Sequence, residues 1–152
     1  MSDYEFTFSL RIRHPDIDPV EITQALGLEP QHTWKAGDPR RGSTGEALEG
    51  RYRESYWMGR LMEDPQLSTS DLTSVESVLL QTLTQLRRSQ DFLSRLSKGG
   101  GEAELHVSLF TRKNFQLKMS AESLTLLTRL GLGIALEVNS QVVGEPAASS
   151  PN

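Results

Sequence analysis

The sequence predicts an α+β fold, a two-layer sandwich in which a mostly antiparallel sheet has helices on one face. Residues 71–88 place apolar side chains at steps of three and four, which is the pattern of one helix face. Several other segments alternate apolar and polar residues, as strands with one buried and one solvated face do. The predicted element order begins with a ferredoxin-like β-α-β-β-α-β core, and a further β-α-β follows it.

The first strand and the first helix are predicted from residues 4–27. Asp18 is suited to cap the helix, Pro19 to occupy its first position, and Gly27 to end it. The strand alternates apolar with polar residues, and its apolar members are Tyr4, Phe6, Phe8, Leu10 and Ile12.

The middle of the chain has a weaker pattern. Residues 33–37 predict a short strand entering a turn, and residues 39–50 are rich in Gly, Arg, Ser and Glu, which is typical of a mobile loop. Residues 51–62 predict another strand, and residues 63–69 predict a connection. The two faces of that strand are predicted to carry Tyr52, Tyr56, Met58 and Met62 on one side and Trp57 and Leu61 on the other.

The long helix is expected to be the central element, with Ser70 or Asp71 as its cap. The polar residues Ser89 and Gln90 interrupt its apolar stripe, so we expect a kink there. A second short helix, capped by Asp91, should follow and end at three consecutive glycines. The stripe of the long helix consists of Leu72, Val75, Leu79, Leu83 and Leu86.

The C-terminal part predicts two more strands and a helix. Residues 105–109 and 115–119 alternate apolar and polar residues and should form a hairpin that turns at residues 112–114. Ser120 is suited to cap a helix that ends at Gly131. The last strand is predicted from the alternating apolar residues Ile134, Leu136 and Val138.

The composition is that of an ordinary globular protein of 152 residues with a net charge of −4. We expect one domain over residues 1–143 and a disordered tail over residues 144–152. The chain has no cysteine, which excludes disulfides, thiolate catalysis and cysteine-ligated metal. Because the sequence shows neither a signal peptide nor an apolar run of membrane-spanning length, we expect a cytoplasmic protein that binds no membrane. We also expect no cofactor.

Five short motifs resemble a known family. They read Ser-Leu-Arg-Ile at 9–12, Asp-Pro-Val-Glu-Ile-Thr at 18–23, Leu-Gly-Leu-Glu-Pro at 26–30, Trp-Lys-Ala-Gly-Asp at 34–38, and Tyr-Trp at 56–57. From about residue 4 to residue 143 the chain is similar to the bacterial family of domains of unknown function numbered 4279. The resemblance implies a fold and no activity, so it supplies no catalytic residue.

Two small constellations could carry chemistry. His14, Asp16 and Asp18 have side chains that ligate metals, but carboxylates so close together in a turn more often form the turn and cap a helix. His106, on the polar face of a strand with Ser108, Arg11 and Glu137 in the pattern around it, is a candidate general base. The alternative for His106 is a solvated or partner-covered sheet face. We predict neither a metal site nor a catalytic residue.

The segment from Trp34 to Arg60 is the predicted binding region. It holds six cationic and four acidic side chains, both tryptophans and two of the three tyrosines. Arginine mixed with large aromatic residues is typical of the positions that dominate protein interfaces. The predicted binding residues are Trp34, Lys35, Arg40, Arg51, Arg53 and Trp57. The alternative is that both tryptophans are core residues and the arginines pair with nearby glutamates.

The function that these patterns favour is a non-catalytic module that binds another protein, with an immunity-like role by analogy. Nucleic acid is not the expected partner, because the chain is acidic and carries no RNA-recognition motif. The alternative is a small enzyme or small-molecule-binding domain, with a pocket near Trp34, Arg51 and Glu54. The oligomeric state does not follow from the sequence.

Overall fold

The computed structural model describes residues 4–61, 67–69 and 73–140. Eight strands and four α-helices follow one another along these residues. The strands are β1 (Tyr4–His14), β2 (Pro30–Trp34), β3 (Pro39–Arg41), β4 (Ala47–Arg51), β5 (Ser55–Arg60), β6 (Leu67–Thr69), β7 (Glu102–Thr111) and β8 (Leu132–Ser140). The helices are α1 (Pro19–Leu26), α2 (Thr73–Leu86), α3 (Gln90–Lys98) and α4 (Ala121–Leu130).

The main sheet has the strand order β2-β5-β1-β7-β8, and the short β6 also pairs with β1. The pairs β2–β5, β5–β1 and β1–β7 are antiparallel, whereas β7 and β8 are parallel. The parallel pair is joined through α4, since parallel neighbours need a crossover connection. The predicted α+β sandwich, with a mostly antiparallel sheet, is therefore confirmed.

One face of the sheet and the helices enclose a single apolar core. The buried side chains of β1 are Phe6, Phe8, Leu10 and Ile12, as the alternating pattern predicted. The stripe of α2 belongs to the same apolar cluster, and its described members Val75, Leu79, Leu83 and Leu86 are all buried. The opposite face of the sheet carries polar and half-buried side chains and is called the open face below.

The interruption of the long helix is confirmed. The α2 helix ends at Leu86, a 3-10 turn covers Arg87–Ser89, and α3 begins at Gln90. A continuous helix would have turned the polar pair Ser89 and Gln90 into the core, and the 3-10 turn avoids this by changing the helix phase. Asp91 lies in the first turn of α3 and does not cap it, so that part of the prediction is wrong.

The caps of α1 and α4 follow the sequence. The Asp18 carboxylate accepts from the Val20 amide at 3.0 Å, and the Ser120 hydroxyl accepts from the Ser123 amide at 3.1 Å. Gly27 and Gly131 end the two helices with φ angles of 69° and 68°. Glycine adopts this left-handed conformation without the steric cost that a side chain adds.

Three predictions for the connecting segments are wrong. Residues 39–50 are not a loop, because β3 and β4 pair as an antiparallel hairpin. The strand predicted at residues 51–62 is divided, since β4 ends at Arg51 and β5 begins at Ser55. Part of the predicted connection at residues 63–69 is the strand β6, which pairs with the start of β1.

The predicted strand at residues 115–119 is also wrong. The chain from 113 to 120 has no regular secondary structure, and the residues after β7 lead into α4 instead of forming a hairpin. Leu117 and Met119 are half-buried against the core, so their alternation reflects packing of an irregular segment. The predictions for Met62, Ser70, Asp71, Leu72 and the C-terminal tail fall outside the described residues.

Candidate functional site

Three aromatic rings form a stack at the β2 edge of the open face. Trp34 lies directly opposite Tyr56 in the β2–β5 ladder, and their ring centroids are 4.5 Å apart with planes at 23°. Tyr52 covers the other side of the indole at 4.5 Å and 10°. All three side chains are half-buried. This aromatic ladder, Tyr52-Trp34-Tyr56, buries both faces of the central indole.

The third ring reaches this position because the chain leaves the sheet and returns. After Trp34 a tight turn is closed by the Asp38 amide, which donates to the Lys35 carbonyl at 3.0 Å. The β3–β4 hairpin follows, and the chain comes back at Tyr52, whose amide donates to the Asp38 carbonyl at 3.0 Å. Tyr52 therefore closes a backbone ring at the base of the hairpin.

The hairpin itself, called the arm below, covers residues 39–51 and is almost entirely exposed. An isolated two-stranded hairpin is marginal in water, so the arm needs an anchor. The Tyr52 hydroxyl provides one, because it accepts from the Arg41 amide at 3.2 Å and donates to the Arg41 carbonyl at 3.3 Å. The aromatic ladder thus holds the arm to the sheet.

The tip of the arm is fixed by a carboxylate. The Thr44 hydroxyl donates to Glu46 Oε1 at 2.6 Å, and the Thr44 amide donates to the same oxygen at 3.1 Å. These bonds favour the charged form, with the hydroxyl as the largest cause and backbone amides next, and they lower the pKa of Glu46 below its ordinary value. Glu46 is consequently ionised and engaged within its own hairpin.

Arginine side chains surround the base of the arm. Arg51 Nη1 donates to the Gly37 carbonyl at 2.7 Å, and Arg40 Nη1 donates to the Glu49 carbonyl at a long 3.4 Å. Arg53 is exposed beside them in the turn between β4 and β5. The ion pairs found among the described residues involve none of these three guanidinium groups. Each of the three is exposed and keeps most of its donors for a ligand.

The neighbouring ion pairs are long and exposed. Lys35 Nζ lies 3.9 Å from an oxygen of Asp18, and Arg13 Nε lies 3.9 Å from an oxygen of Glu54. Contacts of this length between solvated side chains contribute about 0–1 kcal/mol. Lys35 is therefore exposed and only weakly paired. We call Lys35, Arg40, Arg51 and Arg53, together with the aromatic ladder, the arginine surface.

Trp57 does not belong to this surface, so its assignment as a binding residue is wrong. It has no exposed area and lies on the helix-facing side of β5, between Tyr56 and Met58 of the open face. Its indole Nε1 donates to Thr23 Oγ1 of α1 at 3.0 Å, which satisfies the buried N–H. The period of two along a strand separates the adjacent residues Tyr56 and Trp57 onto opposite faces.

His106 forms a separate pair on the open face. Its Nε2 lies 3.1 Å from Glu137 Oε1 of β8, and the residue is 9% exposed. It stands on β7, three strand spacings from Trp34 on β2, which corresponds to about 14 Å. The predicted neighbour Glu137 is confirmed, and the strand order separates His106 from Trp34.

His14 and Asp18 have structural contacts that leave little for a metal. His14 Nδ1 accepts from the backbone amides of Asp16 and Ile17 at 3.1 Å and 3.0 Å. The same nitrogen lies 3.4 Å from an oxygen of the Asp16 carboxylate. Among the described residues, no group of three or more His, Asp and Glu side chains is arranged to hold a metal.

Two clefts between the helices were missed by the sequence analysis. One, of about 420 Å³, lies between the C-terminal ends of α1 and α2, and the other, of about 440 Å³, lies between α1 and α3. Gln24 and Ala25 of α1 line both. The second cleft also contains Phe92, whose ring lies 5.9 Å from the Arg95 guanidinium. Such clefts depend on how helices are spaced, which no local pattern encodes.

The family assignment comes from the match of the chain to a family model. Residues 4–141 match the model of DUF4279, a domain of unknown function. The chain belongs to this family. No curated protein and no solved structure gives a significant match. The resemblance inferred from the motifs is confirmed, and membership of DUF4279 adds no activity to the geometry described above.

A membrane-spanning helix is not found in the described parts of this DUF4279 chain, whose helices are too short or too polar for that role. The longest of them, α2, has 14 residues. A helix needs about 20 apolar residues to cross a bilayer.

Proposed function

We propose that this protein is a non-catalytic module that binds another protein through the arginine surface, in an immunity-like role in which it covers an acidic patch of its partner. The proposal rests on the exposure of Arg51 and Arg53 and on their lack of ion-pair partners among the described residues. Both are exposed at the base of a rigidly anchored arm, and neither takes part in the ion pairs among the described residues. Guanidinium groups placed beside aromatic rings commonly dominate protein interfaces.

The anchoring of the arm supports this proposal. A flexible loop with the same arginines would lose conformational entropy on binding, whereas a preorganised hairpin avoids much of that cost. The aromatic ladder and the two bonds between Tyr52 and Arg41 hold the arm in place before any partner arrives. The charge of Arg40, Arg51 and Arg53 favours carboxylate groups on the partner.

Single-stranded nucleic acid fits the same surface less well. Proteins that bind single strands stack bases on open aromatic faces. Both faces of the Trp34 indole are covered by Tyr52 and Tyr56, so this ring offers no platform for a base. The residues of the ladder therefore act mainly as the anchor, and the arginines make the contacts.

The test is capture of a partner from the native host with variants of the tagged protein. Arg51→Ala combined with Arg53→Ala should leave the melting temperature almost unchanged, since both side chains are exposed. The double variant should lose the captured partner by about tenfold or more, as the loss of two interface arginines implies. The amount of partner is measured by quantitative mass spectrometry.

A matched control removes the same charge elsewhere. Arg87 and Arg129 are exposed on the helical side of the molecule, and their double alanine variant should capture as much partner as the wild type. Equal losses of captured partner in both double variants would show that capture depends on net charge and not on this surface. Unchanged capture by the Arg51 and Arg53 variant would move the binding surface away from the arm and contradict the proposal.

Small-molecule binding is the second candidate, and the clefts beside α1 favour it because their volumes fall in the range of ligand pockets. Ala25 lines both clefts, so Ala25→Trp should obstruct them. A compound that raises the melting temperature of the wild type and not of this variant would support the candidate. A screen without such a compound would count against it.

A further inference from the structure

The strand β8 forms one end of the main sheet, and no other described strand pairs with its outer edge. It has nine residues, so its outward amide and carbonyl groups form a long template for another strand. Proteins that remain single usually protect such an edge with proline, lysine, a bulge or a very short strand. β8 contains no proline and no lysine, and its pairing with β7 runs without a register shift.

The opposite end of the sheet shows what a protected edge looks like in the same molecule. β2 has five residues, begins with Pro30, and shifts register between Pro30 and His32. These features interrupt the edge and discourage another strand from pairing there. Within residues 4–61, 67–69 and 73–140, the sheet is thus protected at β2 and unprotected at β8.

The apolar side chains of β8 are also unusually exposed. Ile134, Leu136 and Val138 are 39%, 44% and 38% exposed. In the parallel ladder they lie beside Leu105, Val107 and Leu109, which are almost fully buried. The apolar face of the sheet therefore continues past the core to an edge where three consecutive inward positions remain only half covered.

We propose that this edge pairs with β8 of a second copy of the chain, antiparallel and around a two-fold axis at Leu136. The sequence of β8 is self-complementary in this register. Leu136 faces its own counterpart, and Ile134 faces Val138 of the partner copy, so each of these three exposed apolar side chains meets another of them. Cross-strand pairs of branched side chains stabilise antiparallel sheets, and a two-fold interface uses the same surface on both subunits.

The polar face of the strand fits the same register. Glu137 would face the small Ala135 of the other copy, so the two glutamates would not be directly opposite each other. Like charges directly opposite destabilise a sheet, and this offset avoids that arrangement. Each Glu137 is also held by His106 of its own chain at 3.1 Å, which directs the carboxylate back over β7.

The dimer would leave the arginine surface free. The aromatic ladder lies at the β2 edge, and β8 is the opposite end of the sheet. Two copies joined through β8 would form one continuous sheet with an arm at each outer end. Such a dimer would be bivalent toward a partner protein, which raises avidity when both sites can be engaged.

The first experiment measures mass in solution by light scattering during size-exclusion chromatography. The wild type should have twice its chain mass of 17.0 kDa and dissociate on dilution. Leu136→Lys should shift the protein to the single-chain mass, because it places two ammonium groups opposite each other. Leu48→Lys is the matched control, since Leu48 is 43% exposed on the arm, and it should remain dimeric.

The second experiment uses the absence of cysteine in the natural chain. In an antiparallel pair, directly opposite residues have Cα atoms about 4.5–5.5 Å apart, a distance that a disulfide spans. Leu136→Cys should therefore cross-link rapidly under mild oxidation, and Leu48→Cys should do so only at the rate of random collision. Ile134→Cys alone should not cross-link, whereas a mixture of Ile134→Cys and Val138→Cys chains should form the mixed dimer.

Several results would overturn the proposal. If the wild-type protein has the single-chain mass at all concentrations, β8 does not pair with a second copy. Cross-linking of the Leu136→Cys variant no faster than that of the Leu48→Cys variant would contradict the pairing, even if the lysine variant failed to fold. Loss of the dimer in the Leu48→Lys control, with retention in Leu136→Lys, would assign the interface to the arm.

Discussion

Close contacts with neighbouring atoms explain why residue 101 is a glycine. At Gly101, an added Cβ atom would lie 2.9 Å from the Leu96 carbonyl oxygen and 3.1 Å from the Arg13 carbonyl oxygen. It would also lie 2.9 Å from Cδ2 of His14. Two of these neighbours are backbone atoms, which cannot move aside as a flexible side chain can. Gly101 therefore allows the end of α3 to pass close to the end of β1.

The substitution Gly101→Ala should destabilise the protein by about 1–3 kcal/mol, the usual cost of overpacking. Gly133 is the control, because a Cβ atom there would have no neighbour within 4 Å and its backbone has no positive φ. Gly133→Ala should change the free energy of unfolding by less than about 1 kcal/mol. Both are measured by urea denaturation, and equal losses in the two variants would contradict the packing argument.

The carboxylate at the tip of the arm gives a prediction for pH. Since the bonds from Thr44 lower the pKa of Glu46 in the folded arm, they stabilise the arm above the unfolded pKa. This stabilisation is lost as the pH falls through the lower, folded pKa. Thr44→Val should move the pKa of Glu46 up toward its ordinary value, as measured by carbon NMR of the side-chain carboxyl. An unchanged pKa would show that the hydroxyl does not hold this carboxylate.

At the scale of elements, helix α2 is the part of the core that the sequence marks most clearly. Its stripe at steps of three and four was predicted from periodicity, and Leu79 and Leu83 are at most 1% exposed. The same reasoning found β1 and the caps of α1 and α4, because caps and periodicity are local properties. Burial on an amphipathic face is what makes these elements stable in the folded protein.

Truncation of a stripe residue tests this account of α2. Leu79→Ala should lower the free energy of unfolding by about 2–5 kcal/mol, since it removes buried methyl groups and leaves a cavity. Leu124→Ala, on a helix but 49% exposed, should cost less than about 1 kcal/mol. Chemical denaturation of the two variants measures the difference. Similar losses for both would mean that α2 does not form the centre of the core.

Other elements could not be predicted, because nonlocal contacts determine them. The β3–β4 arm looks like a loop in sequence, since all of its strand residues are exposed and no alternation of apolar residues marks it. Its stability comes from Tyr52, which stacks on Trp34 and bonds to Arg41 across 11 residues of sequence. Residues 115–119 show the reverse error. Their alternating pattern predicted a strand, but the chain there is irregular and packs on the core.

At the scale of the whole molecule, the candidate site was only partly predictable. The concentration of arginine and aromatic residues marked this region as a candidate, and Lys35, Arg51 and Arg53 are exposed there. The sequence could not separate Trp57 from Trp34, because only the strand register decides that Trp57 faces α1. It also could not show that Trp34 is enclosed by two tyrosines and acts as the anchor of the arm.

The molecule as a whole separates three surfaces. The arginine surface lies at the β2 edge, the unprotected strand β8 lies at the other edge, and the clefts lie among the helices. A partner bound at one of them need not disturb the others. This separation allows binding at the arm to be located by protection of individual segments.

Hydrogen–deuterium exchange of the captured complex tests the central claim most directly, because protected amides report where water is excluded. The account predicts that amides at residues 35–41 and 47–54 exchange more slowly with the partner than without it. Amides of α1 and of the strands around His106 should exchange at the same rates in both samples. Protection confined to the clefts beside α1 or to the face around His106, with unchanged exchange in the arm, would contradict the account.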